Sequence, residues 1–423
     1  MGMKHIIIGT GPAGIIAAET LRKLDRDAQI QVLGDEPEPP YSRMALPYLL
    51  NGKITEADTC LRNKQGHYAT CGIEITQDRV TAIDPRNRSI TTAGNCELPY
   101  DRLLIAAGST PVKPSIPGAD LPGVHSCWTL ADARNIIART ARDADVVLIG
   151  AGFIGCIILE ALAARGVRIQ VIEMEDRMVA RMMDDTAGGL IKQWCETRGV
   201  TIFTSTRVAA IERGADGLMV SLDNDTVLHA DLVITATGVR PNTGFLDGSG
   251  IATDQGVLVN EFLQTGCADI YAAGDVCQGR DFSTGGFNVQ AIQPTAADHA
   301  RIAAMNMVDR RIKYQGSVNM NVLDTMGLIS TSYGLWNGID GGTSVTLKDT
   351  GRYRYLNLQF EEDILVGAQT LGLTEHIGII RGLIQTRVRL GHWRERLLKD
   401  PTRIMEAWIG CTQAIGYNAG ILR

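Results

Sequence analysis

A short apolar run that ends in G-x-G-x-x-G and passes straight into a helix-like stretch occurs twice in this chain. The first copy is KHIIIGTGPAG at 4–14, with Gly9, Gly11 and Gly14 ahead of helix-like Ile15–Leu24. The second, DVVLIGAGFIG from Asp145, carries Gly150, Gly152 and Gly155. In such a motif the first glycine permits a tight turn and the second lets the backbone approach a pyrophosphate. The third lets the helix pack closely on the strand, and the helix N-terminus offers unpaired N–H groups to the phosphates. A single copy is compatible with a glycine-rich turn in any α/β protein. Here each copy is closed by a similar apolar strand ending in glycine, YDRLLIAAGSTP at 100–111 and ADLVITATGVRPN at 230–242. Two bound dinucleotides are the economical expectation.

An acidic residue after the second strand of such a unit accepts hydrogen bonds from a ribose. Ile30–Leu33 is that strand in the first copy; Asp35 and Glu36 both follow it, and the sequence does not choose between them. In the second copy VRIQVIE ends at Glu173. An acid there suits the free hydroxyls of an NAD ribose, whereas a 2′-phosphate calls for arginine. NADH is therefore expected over NADPH, with nearby Arg177 counting the other way. Arg43, in PPYSRMALPYLL, is a candidate for a phosphate or ribose contact, with a surface arginine as the alternative. The strand in TGCADIYAAGDV ends at Gly274 and Asp275, a carboxylate suited to a polyol hydroxyl or to capping a helix. Residues 291–308 read as a helix with Pro294 in its first turn, whose positive end favours negative charge on a reduced ring system.

With 423 residues the chain has room for two or three domains. A net charge of −6 leaves no global nucleic-acid footprint, and no apolar run is long enough to span a bilayer. The first strand starts without a basic leader, so a cytoplasmic protein is expected. The nine cysteines (60, 71, 96, 127, 156, 195, 267, 277 and 411) are scattered with no C-x-x-C, which signals neither an iron–sulfur cluster nor a structural zinc. Residues 73–98 and 200–230 read as β-meanders, and Pro111, Pro114, Pro117 and Pro122 as a linker. Beyond residue 316 the glycine fingerprint is absent. Val318–Leu323, Tyr353–Phe360 and Ile364–Leu371 read as antiparallel strands, and 375–386 and 392–410 as helical. That region sets Arg381, Arg387, Arg389, Arg394, Arg396, Lys399 and Arg403 against Glu395 and Asp400. The run is a solvated helix face or a docking patch for an acidic partner.

The motifs GTGPAG at 9–14, YDRLLIAAGS at 100–109, GAGFIG at 150–155, ATGVRPN at 236–242 and IYAAGDV at 270–276 resemble the FAD-dependent pyridine nucleotide–disulfide oxidoreductases along essentially the whole chain. The chain is most similar to the branch holding NADH oxidases, coenzyme A-disulfide reductases, rubredoxin reductases and the NADH-binding part of nitrite reductases. The resemblance implies an α/β fold with two Rossmann-like dinucleotide-binding domains of the three-layer ββα type, carrying β-meander inserts, plus a C-terminal α+β interface domain. The implied limits are 1–113 with 245–315 for FAD, 114–244 for NAD(H), and 316–423 for dimerisation or partner docking. Carried over, Gly9, Gly11, Pro12, Ala13, Gly14, Asp35 or Glu36, Arg43, Val80, Ala107, Gly108, Gly274, Asp275, Gln293 and Pro294 would hold FAD. Gly150, Gly152, Phe153, Ile154, Gly155, Glu173 and Gly238 would hold NAD(H), with Phe153 placed to cover the flavin. No metal site is implied.

The departures from that family narrow the chemistry. There is no C-x4-C, and Met44 stands in M-A-L-P-Y where one branch carries a single redox cysteine. A thioether forms neither a thiolate nor a mixed disulfide. Ile157 replaces a glutamate often found two residues after the third glycine of the NAD motif. The flavin is thus expected to be the only relay, in an FAD-containing NAD(H):acceptor oxidoreductase that exchanges electrons with an iron–sulfur protein or subunit. YSRMALPY, AIQPTAADH and NMNVLDTMG are similar to FAD subunits of tungsten-dependent aldehyde oxidoreductases and carbon monoxide dehydrogenase systems, which implies a subunit of a larger complex. The third domain of the family often forms dimers, which makes a homodimer one possibility; the alternatives in function are a stand-alone NADH oxidase or rubredoxin/ferredoxin reductase, and a non-catalytic flavin-binding scaffold.

Overall fold

The structure, a computed structural model, describes residues 2–421, with side chains through Gln413. The opening strand Lys4–Ile8 lies at the centre of a five-stranded parallel sheet. Gln29–Gly34 and then Ile73–Gln77 flank it on one side, Arg102–Ile105 and then Ile270–Ala272 on the other. The strands are nearly continuous runs of Ile, Val and Leu because both faces of the sheet are covered. The helices Pro12–Leu24 and Gln293–Met307 lie against each other, and the meander Val80–Asp84, Ser89–Thr92, Glu97–Pro99 adds Val80, Ile83 and Ile90 to the same core.

The second unit repeats the plan. Its parallel sheet runs Val124–Ser126, Leu232–Thr235, Asp145–Ile149, Arg168–Ile172, Thr201–Phe203. Alternation along its strands sorts two cores. Val147, Ile149 and Val233 face the meander Val208–Gly214, Gly217–Leu222, Val227–Ala230, whereas Val146, Leu148 and Ile234 face the helices. In both units the first strand of the expected meander proves to be the outer parallel strand instead, Ile73–Gln77 and Thr201–Phe203. In the first unit Asp78 and Arg79 separate two sheets inside what reads as one β-rich run. The units are joined by a two-stranded ribbon of Ser109–Pro111 with Val239–Pro241, which takes up the first proline of the cluster.

The C-terminal sheet is antiparallel, in the order Met320–Thr325, Leu328–Gly334, Ile364–Leu371, Arg354–Glu361, Thr343–Asp349. Two of these strands were not legible in sequence. Leu328–Gly334 follows a two-residue turn at Met326 and Gly327, both with positive φ, which folds the chain straight back on itself. Its interior is polar, with Ser330, Thr331 and Ser332 buried. The expected helix 392–410 is broken into His392–Lys399 and Ile404–Ile421 by Pro401, which has no N–H to donate; Asp400 accepts from Thr402 N–H there instead. The basic run is largely neutralised within its own domain. Arg389 pairs with Asp363 at 2.8 Å, Arg387 with Glu361 at 3.1 Å and Arg403 with Glu406, while Arg396 lies over the Trp393 ring. Residues 422–423 of the expected third domain lie outside the described residues.

Candidate functional site

The two glycine-rich turns have matching geometry. Gly9 and Gly150 have φ of +116° and +103°, and a Cβ on either would lie 2.1 Å from Ala106 O or 2.5 Å from Ala236 O. A Cβ on Gly14 would lie 1.9 Å from Gly9 O, and one on Gly155 2.1 Å from Gly150 O. Only glycine fits these four positions. Gly11 and Gly152, the N-caps of Pro12–Leu24 and Phe153–Ala164, are different: a Cβ on either meets nothing within 4 Å. No protein atom demands glycine at these two positions. Neither helix has a side-chain cap or an acid in its first turn, so their leading N–H groups are free for an anion.

A cleft of about 480 Å³ runs from the first turn to the second unit. It gathers Gly9, Gly11, Pro12, Ala13, Asp35, Glu36, Arg43, Ala107, Gly108, Gly274, Asp275 and Gln293, and meets the second unit at Phe153 and Ile154. Gly14 and Pro294 stand just behind it, as the helix–strand contact and in the first turn of Gln293–Met307. Val80 does not line it; its side chain is packed in the first unit's core. Gly150, Gly152, Gly155, Glu173 and Gly238 lie outside the cleft, around the second turn.

Asp35 and Glu36 both line the cleft, and of the two Glu36 is the one held in place. Arg43 holds one carboxylate oxygen of Glu36 at 2.5 Å, and the Tyr41 hydroxyl donates to the other at 2.5 Å. Arg43 also donates to Trp128 O at 2.7 Å and lies over both the Tyr41 and Trp128 rings. Arg43 is therefore no free surface cation. Asp35 faces solvent, 4.0 Å from Arg79. Burial pushes the Tyr41 hydroxyl well above its ordinary range, so it stays a donor. Sequence reading missed Tyr41 and Trp128 because lone aromatics in loops carry no periodic signal.

Asp275 receives a hydrogen bond from Ser109 Oγ at 3.0 Å, and burial holds its carboxyl above the usual carboxylate range. It caps no long helix; it sits in the short turn Gly274–Val276. The N–H of Gly274 donates to His299 Nδ1, an imidazole that burial lowers to about 4 and so keeps neutral. Gln293 at the start of Gln293–Met307 accepts from Ser42 Oγ at 2.8 Å, and that helix has no acid in its first turn.

At the second turn the Glu173 carboxylate is tied to the backbone it follows. It is buried and accepts from Ala151 N–H at 2.6 Å and Glu175 N–H at 2.9 Å, bracing the turn. Arg177 is turned away, bound to Asp176 at 2.7 Å, Asp185 at 2.8 Å and Met183 O at 3.1 Å. The cleft contains two sulfur side chains among the described residues, Met44 and Cys127. Burial pushes the Cys127 thiol up to about 12, so it remains protonated at neutral pH. All nine cysteines are unpaired thiols. Among the described residues no three His, Cys, Asp or Glu side chains converge on a metal position, and no helix is long and apolar enough to cross a membrane.

Residues 3–301 match the family model for pyridine nucleotide-disulphide oxidoreductases. The chain is 32% identical over 414 residues to the epsilon subunit of NADH-dependent phenylglyoxylate dehydrogenase of Aromatoleum evansii, covering 95% of this chain and 96% of that one. It is 31% identical over 309 residues to a probable ferredoxin reductase of Castellaniella defragrans, covering 72% and 75%. Among solved structures it is similar to an NAD-dependent persulfide reductase of A. fulgidus, with a TM-score of 0.85 and 27% identity over 92% of this chain and 78% of that one.

Proposed function

Because this chain belongs to the pyridine nucleotide-disulphide oxidoreductase family, we propose that it is the NAD(H)-linked flavoprotein subunit of a larger oxidoreductase, exchanging electrons with an iron–sulfur partner without a redox disulfide. The chain is an NAD(H) oxidoreductase with FAD and NAD(H) as its cofactors. When bound, FAD accepts a hydride and releases electrons singly. The protein's own work is positioning. Gly9, Gly11 and Gly14, with the free N–H groups of Pro12–Leu24, suit the flavin pyrophosphate. Glu36, held by Arg43 and Tyr41, suits the adenosine ribose, and Asp275 the ribityl chain. The positive end of Gln293–Met307 favours negative charge on a reduced ring. Gly150, Gly152 and Gly155 serve NAD(H), with Phe153 between the two sites. Residues 1–113 with 245–315, 114–244 and 316–423 are the corresponding domains.

The observation that carries this reading is a cleft reaching from the first nucleotide turn to Phe153 and Ile154 of the second unit, whose sulfurs are a thioether and a buried, protonated thiol. Likeness along 95% of the chain to a dehydrogenase subunit supports the larger complex, and likeness to a ferredoxin reductase supports the iron–sulfur partner. The test is anaerobic NADH titration of the purified yellow protein, which should bleach the flavin. Cys127→Ser should leave ferricyanide reduction within about twofold of the parent; a collapse in rate with flavin retained would restore sulfur chemistry. Native co-purification with an iron-containing subunit supports the complex, while a lone, oxygen-consuming chain supports a stand-alone oxidase.

Cofactor preference follows from the second turn. With Arg177 committed to Asp176 and Asp185, and Glu173 in the turn, a 2′-phosphate meets a carboxylate there and an Arg177 guanidinium already engaged. We expect kcat/KM for NADH to exceed that for NADPH by at least about tenfold, equivalent to ~1.4 kcal/mol, in steady-state assays.

A further inference from the structure

We propose that His299, which does not line the cleft, positions the flavin from behind it: Nδ1 of its imidazole holds the Gly274 N–H and so keeps the Asp275 carboxylate aimed at the ribityl chain. The inference rests on the flavin reading above. His299 acts through the turn and is a positioning residue.

Three parts of the cleft wall meet at Gly274. Its φ is +76°, and a Cβ there would lie 3.0 Å from Ala13 Cβ and 3.6 Å from Ala296 Cβ. Ala13 belongs to Pro12–Leu24 and Ala296 to Gln293–Met307, and both line the cleft beside Gly274 and Asp275. His299 lies three residues beyond Ala296 on the same helix, about one turn along it. The Gly274 N–H donates to its Nδ1 at 3.3 Å. Asp275 is the next residue in the turn Gly274–Val276, so any rotation about Gly274 swings its carboxylate.

The ring itself shows that this bond is what the histidine is for. It is 2% exposed, and burial lowers its pKa to about 4, so it is neutral at neutral pH. A neutral imidazole has one N–H, and because Nδ1 accepts, the hydrogen is on Nε2. Nε2 has no hydrogen-bond partner among the described residues. A Cβ on Gly279 would lie 3.0 Å from Nε2, and the Tyr314 ring stands nearly perpendicular to the imidazole, its centroid 4.6 Å away. A buried donor without an acceptor costs stability. An apolar side chain would avoid that cost, so packing gives no reason for histidine here. The gain lies at the other nitrogen, on the side of the cleft.

The experiment compares His299→Leu, which removes the acceptor, with His299→Asn, whose Oδ1 stands where Nδ1 does. By fluorescence titration, the FAD dissociation constant should rise at least about tenfold in His299→Leu and stay within about threefold of the parent in His299→Asn. The apo form of His299→Leu should melt within about 4 °C of the parent, because loss of the Nε2 orphan offsets the newly orphaned Gly274 N–H. Gly279→Ala, which presses on the ring without touching Nδ1, should weaken FAD binding in the parent and do so less in His299→Asn, whose side chain is shorter. Independently of binding, NMR of isotope-labelled histidine nitrogens in the FAD-loaded chain should show a neutral ring protonated on Nε2 that disappears in His299→Asn. Undiminished FAD affinity in His299→Leu, equal loss in His299→Leu and His299→Asn, additive effects of Gly279→Ala and His299→Asn, or a ring protonated on Nδ1 would each overturn the proposal. Should His299→Leu fail to fold, the tautomer and the Gly279→Ala pair decide it. Absence of FAD binding by the parent would instead overturn the underlying flavin reading.

Discussion

Gly14→Ala is expected to yield protein without a folded flavin domain, and Gly11→Ala a folded protein without tight flavin binding. The two glycines are three residues apart in one motif, yet the structure separates their roles. At position 14 an added methyl would lie 1.9 Å from a backbone carbonyl of the turn, which has no side-chain freedom with which to give way. Overpacking of that kind costs about 3 kcal/mol or more when the neighbour cannot move. At position 11 the methyl meets no protein atom, and the backbone is already extended at φ −73° and ψ −177°. The apo chain should lose no more than about 1 kcal/mol, the usual price of alanine at an N-cap. Flavin affinity should fall at least tenfold, because the methyl occupies the side from which a pyrophosphate approaches the N–H groups. Flavin absorbance after gel filtration and thermal melts of the apo chain read the two effects separately. Gly155→Ala and Gly152→Ala form the matching pair in the second unit, with loss of NADH bleaching in place of loss of colour.

Asp275→Asn should weaken flavin binding and strengthen the empty fold. A hydrogen bond to a charged group contributes about 1.5–3 kcal/mol, so a lost carboxylate–hydroxyl contact corresponds to roughly 10- to 150-fold in flavin affinity. The apo chain moves the other way. Burial holds the Asp275 carboxyl above its unfolded value. Between the two values the folded state binds more protons than the unfolded state, so stability falls as pH rises through that window and stays reduced above it. Asparagine removes that term. The variant should melt higher than the parent at neutral pH without flavin, and the gap should close in acid, below the ordinary aspartate range. A variant that melts lower at neutral pH, with an intact fold, would contradict the burial argument.

Legibility of this chain follows from how far each feature depends on neighbours in sequence. The glycine turns, the two closing strands and the strand ending at Asp275 could be read because their geometry is local: a positive φ at Gly9 or a carbonyl pressed on Gly14 depends on residues within the motif or on one adjoining strand. That Glu36 rather than Asp35 is held in place could not be read, because it depends on Arg43, Tyr41 and the carbonyl of Trp128, brought together from separate loops. Glu173 was located correctly in sequence, but its carboxylate is engaged by the turn it follows. Leu328–Gly334 escaped notice because its buried face is hydroxyl-rich, with Thr331 bonded to Thr370 at 2.8 Å, and so lacks the apolar alternation that marks a strand. Pro401 was visible and outweighed by the surrounding helical pattern.

The outer strand Ile270–Ala272 of the first sheet comes from beyond the whole of the second unit, whose five parallel strands are contiguous in sequence from Val124 to Thr235. During synthesis the inserted unit therefore has all its strands outside the ribosome before the unit that begins the chain can close. The usual N-to-C order of domain completion is inverted. The unfinished opening unit must wait with the edge of Arg102–Ile105 unpaired, and chaperone demand should be greatest in that interval.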